Sequence, residues 1–347
     1  MSEYVLPARK RARTLMIVEG DHEKNVLFEA LFKCFPELGV RPEDIWIYGT
    51  NIYELFHELE KEYGLDWDSQ DVDLPFLIAK VKKMQTKPQK NDFTNIIIVF
   101  DYERHDPFFD AAKITRMQEY FSDVTDVGQL YLNYPMVESY CHFNSLPDTG
   151  FLNLKVASSM KRGTVYKDLV RKTLVTSNMT FPEILEKNLR EVVGISDETQ
   201  RKRCLNDLLN CSNRTQLDNC ICKTITFAPD PKHANTGKHA LPPVMTRCNY
   251  TESGMTYWEY IRRMFVSIIH ENIRKSNYIT GKNYMIAQQE YPAAYAQVSL
   301  QSVLAKQNAE SKDIQNGYIW VLNTSVFMIA DYNSSLILLK ANPDNES

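Results

Sequence analysis

The sequence predicts an α/β protein, with a parallel sheet that carries helices on both faces and a mostly α-helical region after it. Two apolar, strand-like segments at 15–18 and 96–100 end abruptly in acidic residues, which is typical of buried parallel strands that deliver polar groups to one edge of a sheet. Strand-like and helix-like patterns alternate in the first half, and helical spacing dominates from about residue 155. We therefore expect two domains, 1–150 and 151–347.

Continuous apolar runs identify the strands of the first half, and apolar residues spaced three or four apart identify its helices. Pro135 follows the last strand, at a position suited to the first turn of another helix. The predicted strands are 15–18, 45–48, 96–100 and 129–132, and the predicted helices are 22–35, 52–63, 74–84 and 110–121.

In the second half, amphipathic spacing predicts helices at 182–193, 255–274 and 295–306. Residues 228–244 hold four prolines and a glycine with few apolar residues, so we expect a loop there.

The composition of the chain limits the classes of protein to which it can belong. The chain has 347 residues, 44% of them hydrophobic, and a net charge of −4, which argues against binding polyanions over its whole surface but leaves room for local basic patches. It has seven cysteines, an odd number, and no signal peptide is recognised, which favours free thiols in a cytoplasmic protein. No apolar run reaches the roughly 18 residues of a membrane span, and none is expected.

Acidic residues follow the first predicted strand. Gly20 allows a sharp turn directly after Glu19, and Glu23 lies about one helical turn further on, where it can share a site with Glu19. Alternatively, Asp21 and Glu23 stabilise the start of the following helix by capping it.

Asp101 and Glu103 follow the third predicted strand, with Asp106 within reach. Alternate residues at a strand end point to the same side, so the two carboxylates converge. Like charges at close range raise the energy unless a cation lies between them, and Mg²⁺ or Mn²⁺ prefers such oxygen ligands. These residues predict a divalent-metal site, with solvated loop acids as the alternative.

Glu138 lies in the first turn of the helix predicted after the fourth strand, where it can face the same crevice or cap the helix. A cationic stretch follows at 155–172, and its basic side chains could neutralise phosphate charge or form a solvated helix face. Its basic members are Lys155, Lys161, Arg162, Lys167, Arg171 and Lys172.

These residues resemble the TOPRIM domain that topoisomerases, bacterial primases and several nuclease families share. The resemblance rests on Val18-Glu19-Gly20 with Glu23 four residues beyond Glu19, and on the strand that ends in Asp101-x-Glu103. The segment around Glu138, with an aromatic residue and a histidine after it, further resembles TOPRIM nucleases of anti-phage systems. These include the overcoming-lysogenisation-defect type and the toxin partner of ABC-type ATPases in systems such as PARIS. The resemblance covers roughly residues 12–145, and it departs from the family where Glu103 replaces the usual aspartate.

The resemblance implies a Mg²⁺- or Mn²⁺-dependent endonuclease. Glu19 would be the general base or a metal ligand, Asp101 and Glu103 would bind metal, and Glu23 and Glu138 would complete a second ion site. In-line phosphodiester hydrolysis uses such ions to stabilise the attacking and leaving oxygens. Lys161, Arg162 and Lys167 would hold phosphate.

The same resemblance implies a toxic effector of anti-phage defence, restrained by a partner ATPase or by homo-oligomerisation. Its substrate would be DNA or RNA, with transfer RNA as one candidate. The rival hypotheses are a non-catalytic interaction module, in which the sheet is only a scaffold, and a nucleotidyl transferase of primase type.

Two weaker patterns remain. Several cysteines and histidines between 204 and 248 are potential ligands of a structural zinc site, but their spacing matches no paired C-x-x-C arrangement. The aromatic segment 250–260, which includes Tyr257 and Trp258, could stack bases, although helix core is the favoured interpretation.

Overall fold

The computed structural model describes residues 13–21, 23–102, 104–160 and 163–339. All four strands predicted in the first half are present, within one or two residues of the predicted ends. The strands are β1 (Thr14–Val18), β2 (Ile45–Ile47), β3 (Asn95–Asp101), β4 (Ser122–Asp123), β5 (Gly128–Tyr134), β6 (Lys155–Ala157), β7 (Tyr318–Trp320) and β8 (Leu322–Asn323).

The main sheet has the strand order β2-β1-β3-β5-β4, with β8 paired to β5 as well. The pairs among β2, β1, β3 and β5 are parallel, and β4 and β8 run antiparallel to β5. The sheet is therefore mostly parallel but mixed, and the two short antiparallel strands are absent from the predicted elements. Every residue of β1 is buried, as expected for a strand covered on both faces.

Helices make up most of the remaining chain. The predicted helix 22–35 is a π-helical segment, Glu23–Phe28, that continues into α1, whereas 52–63 forms a helix with the predicted ends. The α-helices are α1 (Glu29–Cys34), α2 (Ile52–Tyr63), α3 (Leu74–Val81), α4 (Ala111–Tyr120), α5 (Thr164–Val170), α6 (Leu174–Met179), α7 (Phe181–Glu191), α8 (Glu198–Leu209), α9 (Arg214–Thr224), α10 (Pro231–Met245), α11 (Tyr257–Ile279), α12 (Tyr291–Tyr295), α13 (Leu300–Glu310) and α14 (Met328–Tyr332).

The loop predicted at 228–244 is wrong, because most of it forms α10. The Asp230 side chain accepts the backbone N–H groups of Lys232 and His233 and so caps the helix. Pro231 occupies a first-turn position, where its missing N–H costs nothing. Pro242 and Pro243 lie near the C-terminal end of the helix, and the fourth proline of the stretch, Pro229, precedes it. The prolines of this stretch are therefore compatible with a helix.

Two other helix predictions need correction. No α-helix starts at Pro135; a 3-10 helix, Val137–Cys141, follows instead, and its Ser139 N–H bonds to the carbonyl only three residues back. The helix predicted at 295–306 is two helices, α12 and α13, and Ser299 caps the second one.

The second half of the chain completes the sheet of the first half. The Asn323 side chain donates to the Val137 carbonyl at 2.9 Å, and the Thr324 hydroxyl donates to the Leu132 carbonyl at 2.7 Å. The Asn323 N–H in turn donates to Asn272 of α11 at 2.8 Å. Residues on both sides of position 150 thus share one sheet, and the predicted domain boundary there stays a prediction.

Within the described ranges, no helix has both the length and the apolar character needed to cross a membrane.

Buried His270 on α11 predicts a pH dependence of stability. Its ring stacks on Tyr291 at 3.5 Å and its Nε2 bonds the Ile337 carbonyl at 2.6 Å. Burial lowers the pKa of His270 to about 4, despite the opposing effect of the Ile337 bond. An unfolded chain binds a proton here near pH 6.5, so protonation favours unfolding below that pH. We expect the free energy of unfolding to fall between about pH 6.5 and 4, by up to about 3 kcal/mol from this residue.

Urea unfolding of wild type, His270→Gln and a control, His57→Gln, at several pH values checks this expectation. His57 is exposed, so its replacement should leave the slope unchanged, whereas His270→Gln should flatten it. Equal slopes in all three proteins would contradict the expectation.

Candidate functional site

Three predicted site residues lie where adjacent parallel strands end. Glu19 directly follows β1, Asp101 is the last residue of β3, and Glu138 lies in the 3-10 helix after β5. Because β1, β3 and β5 are neighbours and parallel, their carboxyl ends meet at one edge of the sheet, where open α/β sheets bind ligands. We call this the carboxyl edge.

Two hydrogen bonds connect the three strand ends. The Glu19 Oε2 atom accepts the Asp101 backbone N–H at 3.2 Å, and the Asp101 Oδ1 atom accepts the Val137 N–H at 2.8 Å. Asp101 is 5% exposed, so the alternative of a solvated loop acid is wrong for this residue. The bonds fix both carboxylates against the backbone of the neighbouring element, and Val137 precedes Glu138.

Glu138 forms an ion pair with Lys167 of α5. The Lys167 Nζ lies 2.9 Å from Glu138 Oε1, and the side chains are 43% and 6% exposed. A predicted catalytic acid and a predicted phosphate-binding lysine thus meet at one point. The pair balances a buried carboxylate charge and holds an ammonium group, still partly open to solvent, beside the carboxyl edge.

Tyr166 precedes Lys167 on α5 and contacts His142, and neither residue is among the site residues that the sequence predicts. The Tyr166 hydroxyl and His142 Nδ1 are 3.1 Å apart. Burial, reinforced by the charges of Glu138 and Asp101, raises the pKa of Tyr166 well above its ordinary value. Burial also lowers the pKa of His142, with a further contribution from Lys275. Both side chains therefore favour their neutral forms. Neither belongs to the acidic or basic patterns by which the sequence marks the site.

Other predicted residues have different positions. The Asp106 carboxylate accepts the Asn51 side chain at 2.5 Å and the Phe108 N–H at 2.7 Å, so it orders its own turn. Glu103, Lys161 and Arg162, together with the side chain of Glu23, lie outside the described part of the chain, and their predicted roles stay predictions.

The donor set fits a divalent cation in part. Among the residues that the structure describes, no group of three His, Cys, Asp or Glu side chains is arranged to hold a metal ion. The described contribution is therefore the carboxylate oxygens of Glu19 and Asp101, since an ionised carboxylate that accepts one hydrogen bond keeps further acceptor capacity. Two carboxylates are compatible with Mg²⁺, which is often coordinated by one or two carboxylates, with water and substrate phosphates as its other ligands.

The rest of the cationic stretch is heterogeneous. The Lys155 ammonium lies over the Tyr318 ring, and Arg171 pairs with Asp168 at 3.0 Å on an exposed surface. Only Lys167 among these residues has a described contact to an acid of the carboxyl edge.

The structure also bears on the two weaker sequence patterns, the cysteines and histidines between 204 and 248 and the aromatic segment 250–260. All seven cysteines are free thiols, and no three-ligand group supports zinc among the residues whose placement is described. The hydroxyl of Tyr250 donates to the Leu208 carbonyl and that of Tyr257 to the Asn178 carbonyl, both in buried positions. The helix-core interpretation is confirmed for Tyr257 of α11, and Tyr250 is buried in the turn before that helix, whereas Trp258 is partly exposed. Base stacking by the two buried rings is excluded because ring faces must be accessible to bases.

Comparisons leave the chain without an assigned family: no protein-family model, no curated protein and no solved structure matches it.

Proposed function

We propose that the protein is a Mg²⁺- or Mn²⁺-dependent endonuclease that hydrolyses phosphodiester bonds of nucleic acid. The observation that carries the proposal is the connection of Glu19, Asp101 and the Glu138 segment by two hydrogen bonds at the carboxyl edge. Acids that served only solubility would be solvated, whereas Asp101 and Glu138 are buried at a sheet edge typical of ligand sites. The TOPRIM resemblance of the same residues supports the same activity.

Each side chain has a role in this proposal. Asp101 would bind the cation, and Glu19 would act as a second ligand or as the general base that accepts a proton from the attacking water. A divalent cation held there would polarise the phosphodiester and stabilise charge on the attacking and leaving oxygens. The Lys167 ammonium, oriented by Glu138, neutralises charge that develops on the phosphate.

The biological setting follows from the resemblance alone. We propose a toxic effector of anti-phage defence that acts on DNA or RNA, with transfer RNA as a candidate substrate. A nuclease of this kind needs restraint, so we include a partner ATPase or self-association in the proposal. The alternative is a non-catalytic interaction module, for which the buried carboxylates would only order the sheet edge.

Replacement of the two metal-binding carboxylates tests the activity. We expect Glu19→Gln and Asp101→Asn to lower metal-dependent cleavage of plasmid DNA or total RNA by about a hundredfold or more, because metal stabilisation of the transition state contributes several kcal/mol. The measurement is the cleavage rate with Mg²⁺ or Mn²⁺, with a chelator control.

Glu119→Gln is the matched control, since Glu119 is exposed near the end of α4, at the opposite edge of the sheet. It should cleave like wild type. Cleavage that survives both site substitutions would reject the carboxyl edge as the nuclease site, and toxicity in cells that is equal for wild type and both variants would favour the interaction module.

Lys167 has a separable role in stability and in cleavage. Lys167→Met leaves the Glu138 carboxylate buried without this ion pair, so the free energy of unfolding should fall by about 1–3 kcal/mol, less than for a fully buried pair because Lys167 is partly exposed. Adding Glu138→Gln should restore stability but not cleavage. Lys167→Arg keeps the charge and should retain more cleavage than Lys167→Met.

Urea denaturation and cleavage rates of the same preparations provide both readouts. Lys187→Met, which removes an exposed lysine 3.9 Å from Glu191, should change stability by less than about 0.5 kcal/mol. Equal cleavage by the Met and Arg variants of Lys167 would show that its charge is not used in the reaction.

A further inference from the structure

A cluster of aromatic side chains on the second half of the chain has no role in the site described so far. We call Tyr278, Tyr284, Tyr318 and Trp320 the aromatic platform. Ring centroids are 5.0 Å apart for Tyr278 and Tyr284, 6.0 Å for Tyr278 and Trp320, and 5.4 Å for Tyr318 and Trp320. The three tyrosines are partly exposed and Trp320 is buried beneath them, so the platform has an accessible aromatic surface.

An exposed lysine lies on the platform. The Lys155 Nζ is 3.8 Å from the Tyr318 ring centroid and 4.4 Å from that of Trp320. The pairing of β6 with β7 places Lys155 directly opposite Trp320. An ammonium group is therefore held on the rings at a surface position, where a flexible stem also lets it reach a phosphate.

The base of the platform is rigid. The Trp320 N–H and carbonyl both bond the buried Gln307 side chain, at 3.0 and 2.9 Å. Buried Lys275 donates to the Phe151 and Leu154 carbonyls at 2.7 and 2.6 Å, which fixes the backbone just before Lys155. Little conformational entropy is then lost when a ligand stacks on these rings.

The chain path places the platform on the carboxyl-edge side of the sheet. β8 runs antiparallel to the C-terminal end of β5, so β7, which immediately precedes β8, continues beyond that end. Tyr102, next to Asp101, donates to Asn308 at 2.8 Å, which ties the end of β3 to the helix that leads into β7. α5, which carries Lys167, is the next helix after β6 along the chain.

We propose that the aromatic platform and Lys155 bind unpaired nucleotides of the substrate that is cleaved at the carboxyl edge. Bases stack on the partly exposed tyrosine rings, and the Lys155 ammonium moves from the Tyr318 face to an adjacent phosphate. Neutral rings with a nearby cation are the combination that single-strand binders use without sequence readout. Base pairs in a duplex are already stacked and present no free base face. The proposal rests on the proposed nuclease function and adds a substrate class, single-stranded nucleic acid.

Binding measured by fluorescence anisotropy tests the platform apart from catalysis. The probes are labelled 12-nucleotide RNA and DNA single strands and the matching duplexes, with full-length protein and EDTA present to prevent cleavage. We expect single strands to bind at least tenfold more tightly than duplexes, and the RNA and DNA arms to show which sugar is preferred. Equal affinity for single strands and duplexes would overturn the proposal.

Two platform variants and one control complete the test. Tyr318→Leu should weaken single-strand binding about 5- to 150-fold, equivalent to about 1–3 kcal/mol for one stacked base. Lys155→Gln should weaken it and lower the salt dependence by about one charge. Lys33→Gln removes an exposed lysine of α1 that lies 5.3 Å from the Trp258 ring of α11, and this variant should bind like wild type. If both platform variants also bind like wild type, the platform is not the binding site.

Thermal melts show whether Tyr318→Leu is folded, and Lys155→Gln, an exposed side chain, tests the platform if it is not. The two proposals fail in different ways. Cleavage that Glu19→Gln does not affect rejects the proposed nuclease site at the carboxyl edge, whatever the anisotropy shows. Cleavage lost in Glu19→Gln together with undiminished single-strand binding by both platform variants rejects the platform alone.

Discussion

The parallel pairing of β1, β3 and β5 is the constraint on which the rest of the structure depends. The register that sets Val18 opposite Val99 and Asp101 opposite Asn133 forces three strand ends to the same edge. Each parallel step needs a crossover connection, so helices must return the chain to the opposite edge before the next strand begins. The acidic residues are therefore brought together by backbone pairing, although 119 positions separate Glu19 from Glu138.

Charges are buried where the chain can balance them. The Glu138 carboxylate lies against the Lys167 ammonium, and the Lys275 ammonium is enclosed with two backbone carbonyls as acceptors. Burial lowers the pKa of Lys275 well below its ordinary value, with a further contribution from Lys155. The removal of a charge from water has a high free-energy cost unless hydrogen bonds or a partner offset it. The first contact holds α5 beside the carboxyl edge, and the second holds the segment before β6 against α11.

The parts of the structure that follow local rules could be predicted from the sequence. The strands that precede Glu19 and Asp101 are continuous apolar runs, and helix 52–63 has regular apolar spacing, so their positions were correct. The number of prolines does not predict the helix at 231–245, because proline is compatible with a helix at its first turn and near its end. β8 is two residues long and depends on a partner 190 positions away, and no local pattern encodes such a pairing. The Tyr166–His142 contact and the aromatic platform likewise join residues that are distant in sequence or carry no charge.

The pairing of β5 with β8 has a consequence for synthesis of the protein on the ribosome. Asn133 pairs with Asn323, which is synthesised 190 residues later. At about 5–20 residues per second, this interval is roughly 10–40 s of translation. Until then one flank of β5 lacks its final partner, and the Val137 and Leu132 carbonyls lack the donors that Asn323 and Thr324 supply. The hydrogen bonds on this flank of β5 are therefore completed only once Thr324 has been synthesised, so a chain that stops before residue 322 would keep the parallel strands of the sheet but lack these two donors.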